Sequence, residues 1–209
     1  MAYISRVTWQ IENELWELGY THVAGIDEAG RGALAGPVVA AAVIFPPGVL
    51  IPQVDDSKRL APGQREALFQ AILRVALGVG IGSVEANVID QVNIRQGTLL
   101  AMQAALQDLA YGPDFLLVDG RDGIAATQPQ RMIVRGDQTV GSIAAASIVA
   151  KVTRDRHMET LDGQFQGYGL AQHKGYGTPT HLQALQQFGP TSIHRITFRG
   201  VVPRASRYA

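Results

Sequence analysis

Apolar positions along this chain change period several times, and each change marks an element. Ile11, Leu15 and Leu18 recur at helical spacing and predict a helix over residues 5–18, followed by a short apolar run at 23–26 that reads as a strand. Residues 38–45 are continuously apolar and stop at Pro46 and Pro47, which predicts a strand buried on both faces. Leu68, Ile72 and Ala76 predict a helix, and Val79 and Ile81 a third strand. Asn93 with Gln96 three residues on resembles a capping pair, and Leu99, Met102, Leu106 and Leu109 mark one face of the helix it starts. Strands at 115–118 and 132–134 end at Asp119 and just before Asp137. An alanine-rich stretch at 142–161 predicts a long helix, and Thr178-Pro179 opens another that runs to Phe188.

Apolar strands alternating with helices define an α/β layered domain in which helices cover a central sheet. The expected organisation is one domain over residues 1–209, with 163–209 forming a helical appendage that contributes to substrate binding. In such sheets sites gather where strands end. Asp27, Asp119 and Asp137 all follow predicted strands.

Composition narrows the class. With 46% hydrophobic and 17% charged residues, the chain is neither disordered nor fibrous. It has no cysteine, which removes disulfides, thiolate zinc sites and cysteine nucleophiles and is compatible with a cytoplasmic location. The first 18 residues carry Arg6, Glu12, Glu14 and Glu17, so neither a signal peptide nor a membrane span is expected there. Net charge is zero but unevenly placed: every acid lies at or before Asp162, whereas Lys174, Arg195, Arg199, Arg204 and Arg207 follow it. Residues 163–209 therefore carry +5 and residues 1–162 carry −5. Such asymmetry favours a polyanion, although a solvated basic tail explains it equally well when taken alone.

The chemistry concentrates at residues 25–37, where Asp27 and Glu28 close a short apolar run and Gly30-Arg31-Gly32 follows. Paired carboxylates suit a hard divalent cation, and a guanidinium between glycines suits a phosphodiester approached closely by backbone. Adjacent residues on a strand face opposite sides, so Asp27 and Glu28 are expected to share a site through a bend or bulge. Judged singly, Asp119 or Asp137 is a turn or cap residue. Together with Asp27 and Glu28 they form a self-repelling set that Mg²⁺ or Mn²⁺ relieves. In two-metal nucleases one ion activates a water and the other stabilises the leaving oxygen. Lys58, Lys151 and Arg154 read in isolation as surface charges, with Lys151 pairing Asp155 along the helix. Tyr176, set between glycines in His173-Lys174-Gly175-Tyr176-Gly177, has little local packing and is placed to stack on a base or sugar. His194 and Arg195 are either structural or phosphate contacts.

The ordered motifs resemble the bacterial ribonuclease HII family, type 2 ribonuclease H. They are Gly-Ile-Asp-Glu-Ala-Gly-Arg-Gly at 25–32, Ala-Gly-Pro-Val-Val-Ala-Ala-Ala-Val at 35–43, Asp-Ser-Lys at 56–58 and Val-Asp-Gly at 118–120. Gly-Asp at 136–137, the run from Ser142 to Asp155, His-Lys-Gly-Tyr-Gly-Thr at 173–178 and His-Arg at 194–195 continue the series. The resemblance implies a ribonuclease H-like three-layer fold with a mixed five-stranded sheet. It implies an endonuclease that cuts the RNA strand of RNA–DNA hybrids, or 5′ of a ribonucleotide embedded in duplex DNA, leaving 3′-hydroxyl and 5′-phosphate ends by two-metal catalysis. Carried over by position, Asp27, Glu28, Asp119 and Asp137 are the metal-binding acids, and Gly30, Arg31 and Gly32 form the turn that reads the ribose 2′-hydroxyl. Tyr176 stacks on the deoxyribose after the ribonucleotide. Lys58, Lys151, Arg154, His173, Lys174 and Arg195 are phosphate contacts. A monomer without membrane association is expected. Ala33 and Thr197 depart mildly from the family pattern, and Arg199-Gly200-Val201 replaces its usual ending, so no clamp-binding tail is expected. The competing functions are a junction-resolving nuclease on the same scaffold, which would not need a ribonucleotide, and a non-catalytic hybrid-binding protein, which would lack one of the acids.

Overall fold

The structure, a computed structural model, describes residues 7–202. Ser5 and Arg6, the first two residues of the predicted N-terminal helix, and Arg204 and Arg207 of the basic tail lie outside the described residues. In chain order the elements are α1 (Gln10–Glu17), β1 (Val23–Ala29), β2 (Val38–Ile44), α2 (Pro62–Val75), β3 (Gly78–Val84), α3 (Ala86–Val92) and α4 (Ile94–Gln107). Next come β4 (Phe115–Asp119), β5 (Gln130–Ile133), a 3-10 turn (Gly136–Gln138), α5 (Gly141–Gln164), α6 (Leu170–His173) and α7 (Pro179–Phe188). The five strands form one mixed sheet in the order β3-β2-β1-β4-β5. β1 pairs antiparallel with β2, as does β2 with β3, while β1–β4 and β4–β5 are parallel.

β2 is buried at every position, and its alternation feeds two cores. Ala41, Val43 and Phe45 pack with Trp9, Ala144, Ile148 and Val149 on the α5 face. Ala40, Ala42 and Ile44 join Ile26, Met102, Leu116 and Val118 on the α4 face. Burial of both faces removes any alternation from the β2 sequence. The start of α5 lies directly on β1, because a Cβ on Gly25 would overlap the Ser142 backbone. Glu12 of α1 completes that junction: its Oε1 accepts from the Ser142 N–H at 2.7 Å and supplies the cap that α5 lacks locally.

Three local expectations change. The innermost positions of α4 are Thr98, Ala101, Met102 and Ala105, with Leu99 and Leu106 flanking them. Gly80 and Gly82 of β3 explain this, since a Cβ on either would overlap the Ala105 or Ala101 carbonyl, so small residues face the sheet. β5 starts two residues earlier than predicted and forms a sheet edge, leaving Met132 and Val134 43% and 55% exposed. Helices α3 and α6 have no predicted counterpart, because seven and four residues are too short to display a period. The caps match expectation: Asn93 Oδ1 accepts from the Gln96 N–H at 3.1 Å, and the Thr178 hydroxyl accepts from the His181 N–H at 3.3 Å. Beyond α5, Leu170, Leu185 and Val201 pack with Met158, Leu161 and Leu34, which docks α6 and α7 against the turn after β1.

Candidate active site

Pairing between the parallel strands β1 and β4 ends at Ile26↔Val118, so Asp27 and Asp119 are the next residues on neighbouring strands. Each of Asp27, Glu28 and Asp119 offers a carboxylate oxygen, and these lie within 4.8 Å of one another. Of the bend or bulge expected, the bulge is not there: Asp27↔Ala41, Glu28↔Ala40 and Ala29↔Val39 continue an unbroken register with β2. The acids meet because the other flank of β1 loses its partner where β4 ends. Side chains from both faces of the strand can turn toward that gap.

Asp119 is held by the Gly136 N–H, which donates to its Oδ1 at 2.7 Å. Asp137 lies in the same 3-10 turn, reached through Arg135 in the left-handed conformation at φ 61°. It is buried and stands outside the trio, with Lys58 Nζ 3.6 Å from its Oδ2. The four predicted acids are thus three together and one adjacent. Burial, followed by the charges of Glu28, Asp119 and Asp137, holds the Asp27 carboxyl well above the usual carboxylate range. Burial and Glu28 also raise Asp119. Burial, Asp119 and Asp56 raise Asp137, and Lys58 opposes them. All-oxygen donors that repel one another fit a hard divalent cation.

Beside the acids opens a groove of about 590 Å³ lined by Glu28, the Gly30-Arg31-Gly32 turn, Lys58, Arg65, Lys151 and Tyr176. The turn closes by a bond from Ala33 N–H to the Gly30 carbonyl at 3.2 Å. Gly30 has φ +90°, and a Cβ there would overlap the Arg154 side chain, whereas a Cβ on Gly32 would find only the Tyr176 ring at 3.9 Å. The loop bearing Lys58 is pinned from two helices: Arg65 of α2 donates to the Ser57 and Leu60 carbonyls, both at 2.9 Å, and Ser57 N–H reaches Ser147 Oγ of α5 at 3.3 Å. Arg65 escaped the sequence reading, because nothing near it in the chain distinguishes it from a helix surface charge.

The ribonuclease HII family model matches residues 24–201. The ribonuclease HII of Geobacter metallireducens is 55% identical over 196 residues, which is 94% of this chain and 92% of that protein. The chain belongs to the ribonuclease HII family. Ribonuclease HII proteins are endonucleolytic hydrolases with ribonuclease H activity on RNA–DNA hybrids. Ribonuclease H2 from Pyrococcus horikoshii superposes with a TM-score of 0.71 at 27% identity, covering 86% of this chain and 94% of that one. The ribonuclease HII of Archaeoglobus fulgidus, solved in complex with PCNA, gives 0.72 at 26% identity over 85% and 95%. The mixed five-stranded sheet between helices is the ribonuclease H-like fold. No helix among the described residues is long and apolar enough to cross a membrane.

Within this ribonuclease HII framework, four of the expected phosphate contacts need correction. Arg154 and Arg195 are fully buried. Arg154 donates to the carbonyls of Pro37, Lys174 and Ala35 at 2.9, 2.9 and 3.1 Å, and Arg195 donates to Gly36 and Arg31 at 2.9 to 3.1 Å. Burial, then the charge of Arg154, lowers the Arg195 pKa to about 10. Neither guanidinium faces solvent: Arg195 holds the glycine turn at the Arg31 carbonyl, Arg154 holds the segment before Tyr176 at the Lys174 carbonyl, and both hold the backbone at residues 35–37. His173 has both ring nitrogens committed to backbone, at Tyr168 and Gly175. Lys174 is tied to Glu159 at 2.6 Å. Lys151 does pair with Asp155, at 2.7 Å, while still lining the groove and lying 5.9 Å from the Tyr176 ring centroid. The groove therefore carries its positive charge on Arg31, Lys58, Arg65 and Lys151.

Proposed function

We propose that this chain cuts 5′ of a ribonucleotide embedded in duplex DNA, as well as the RNA strand of hybrids, leaving a 3′-hydroxyl and a 5′-phosphate. The observation that carries this reading is that Glu28 lies at once in the carboxylate trio and in the wall of the groove holding the glycine turn and Tyr176. Any phosphodiester in that groove passes beside the acids. Asp27, Glu28, Asp119 and Asp137 would hold Mg²⁺ or Mn²⁺, and the position of Asp137 outside the trio supports two ions. Bound there, divalent cations supply the nucleophile and neutralise charge on the leaving 3′-oxygen. The protein's own groups do the rest. Gly30, Arg31 and Gly32 approach the ribose with backbone and guanidinium and sense its 2′-hydroxyl. Tyr176 stacks on the deoxyribose that follows, and Lys58, Lys151 and Arg31 draw in the phosphates from the solvent side. The C-terminal segment contributes through Tyr176 and through Arg195, which holds the Arg31 carbonyl. The protein is proposed to act as a monomer in the cytoplasm.

The test is cleavage of a DNA duplex holding a single ribonucleotide, with Mg²⁺ or Mn²⁺, by the wild type and Asp119→Asn. We expect one cut on the 5′ side of the ribonucleotide and a loss of about 10²–10³-fold in the variant, the range for removing one electrostatic element of an active site. An active variant, or cutting of an all-DNA duplex, would sink the reading, the latter in favour of a junction-resolving nuclease. Binding without cutting would favour a hybrid-binding protein.

A further inference from the structure

Three histidines pack beneath the loop that carries Tyr176, and the hydrolysis described above uses none of them. His181 of α7 and His194 are 0% and 2% exposed. His173, at the end of α6, stacks on His181 with ring centroids 4.4 Å apart and planes within 15°. Their partners settle where each proton sits, because a backbone carbonyl can only accept and a backbone N–H can only donate. His181 Nδ1 lies 3.0 Å from the Tyr176 carbonyl, so it carries a proton. His194 Nδ1 accepts from the Thr191 N–H at 3.0 Å, so it is bare and its Nε2 carries the proton. That proton points at the bare Nε2 of His181, 3.1 Å away. His173 is fixed in the same way: Nδ1 accepts from the Gly175 N–H at 3.2 Å, and Nε2 donates to the Tyr168 carbonyl at 2.7 Å. A directed chain of neutral rings thus runs from Thr191 through His194 and His181 to the carbonyl of Tyr176.

We infer that His181 and His194 are positioning residues for Tyr176: their neutral relay holds the Tyr176 backbone and thereby sets the preference for an RNA-to-DNA junction. The inference rests on the junction-reading role proposed for Tyr176. The segment needs such a hold. Lys174 takes the left-handed conformation at φ 52°, and such backbone in a non-glycine residue persists only where surrounding contacts over-determine it. Arg154 takes the Lys174 carbonyl and the relay takes that of Tyr176, which also accepts from the Thr178 N–H at 2.8 Å.

The groups facing the relay favour neutrality. From α6 comes His173, from the turn before it the Tyr168 ring, 5.0 Å from His194, whose hydroxyl donates to the Gly189 carbonyl. Arg195 follows His194 in sequence but turns its guanidinium to Gly36 and Arg31. Lys174 and Glu159 pair with each other, and no described carboxylate forms an ion pair with any of the three rings. Protonating either relay ring would set two N–H donors face to face. Burial and the neighbouring rings accordingly depress His194 to about 4, and burial and His173 contribute to lowering His181.

Imidazole ¹⁵N spectra of the wild-type protein at pH 7 test the relay without any variant. Three neutral rings are expected, with His181 protonated on Nδ1, His173 and His194 on Nε2, and a scalar coupling across the His194–His181 bond. An imidazolium at His181 or His194, or the opposite tautomer at His181, overturns the inference. Variants then separate positioning from packing. His181→Asn keeps a donor near the Nδ1 position, whereas His181→Leu keeps apolar volume. The relay expects amides 174–178 to exchange about five- to tenfold faster in Leu than in Asn, as loss of one hydrogen bond of roughly 1 kcal/mol implies; equal or reversed rates overturn it. In cleavage, His194→Gln should lower the ratio of junction to uniform-hybrid activity through KM, and should add nothing to Tyr176→Ala. If Tyr176→Ala keeps the wild-type ratio, the junction reading of Tyr176 fails and the preference clause with it. Should the ratio fall in Tyr176→Ala but not in His194→Gln, the positioning role alone fails.

Discussion

Two glycines of one turn are predicted to respond oppositely to the same added methyl group. Gly30 sits at φ +90°, a conformation that costs a non-glycine residue about 1–3 kcal/mol, and its Cβ would overlap the Arg154 side chain. Arg154 is fully buried and makes three hydrogen bonds to carbonyls, so it has no free direction in which to move. Losing one such bond to a charged donor adds roughly 1.5–3 kcal/mol. Gly30→Ala is therefore expected to lower stability by about 2.5–6 kcal/mol. Gly32 has no such constraint: its backbone is outside the left-handed region, and the nearest atom to an added Cβ is in the Tyr176 ring at 3.9 Å. Gly32→Ala should leave stability unchanged or raise it by about 0.4–1 kcal/mol through the unfolded chain. It should nevertheless impair cleavage at an embedded ribonucleotide, because the methyl group projects into the groove where a ribose would approach. Urea unfolding of both variants, with cleavage of a single-ribonucleotide duplex, measures the two effects separately. A Gly32→Ala protein that cuts as well as wild type would refute the account of the turn as a ribose reader. Equal destabilisation by the two substitutions would refute the account of Gly30 as seat for Arg154.

The acidic cluster should behave as a stability cost. Two ionised carboxylates no more than 4.8 Å apart at an effective dielectric of 20 repel by at least about 3.5 kcal/mol, which proton uptake by Asp27 partly relieves. Asp27→Asn should thus lose activity yet gain roughly 1–3 kcal/mol, or about 4–8 °C in Tm for 2 kcal/mol in a chain of this size. Calorimetry showing a lower Tm for the variant without metal would contradict this. The histidine relay predicts acid lability with a defined window. Unfolded histidine binds a proton near pH 6.5 and native His194 only near 4, so the unfolded state holds more protons between those values. Its contribution is complete above about pH 6.5 and falls by roughly 3 kcal/mol as pH drops through 4. Urea midpoints at pH 7 and 4.5 should differ less in His194→Gln than in wild type, and an equal difference would count against the neutral buried ring.

Much of this protein was written in local signals. The period changes placed all five strands, because burial of β1, β2 and β4 demands apolar residues there and glycine, proline or acid where burial stops. Asn93 and Thr178 announced their helices, since a cap is a contact only three residues long. The acids stood out only as a set, since each alone reads as a turn or cap residue. Tertiary structure decided what depended on distant partners. Strand order alone makes Asp27 and Asp119 neighbours, and the end of β4 lets Glu28 join them without a bulge. In sequence Arg154 reads as a surface charge and Arg195 as either a structural or a phosphate contact; in the fold both are buried, because carbonyls from residues 31 to 37 and from Lys174 turn inward to meet them. His173, His181 and His194 likewise acquire their protonation states from backbone groups that only folding brings within hydrogen-bond reach. A residue's chemical type is local, but its charge, exposure and proton are set by whatever the rest of the chain packs against it.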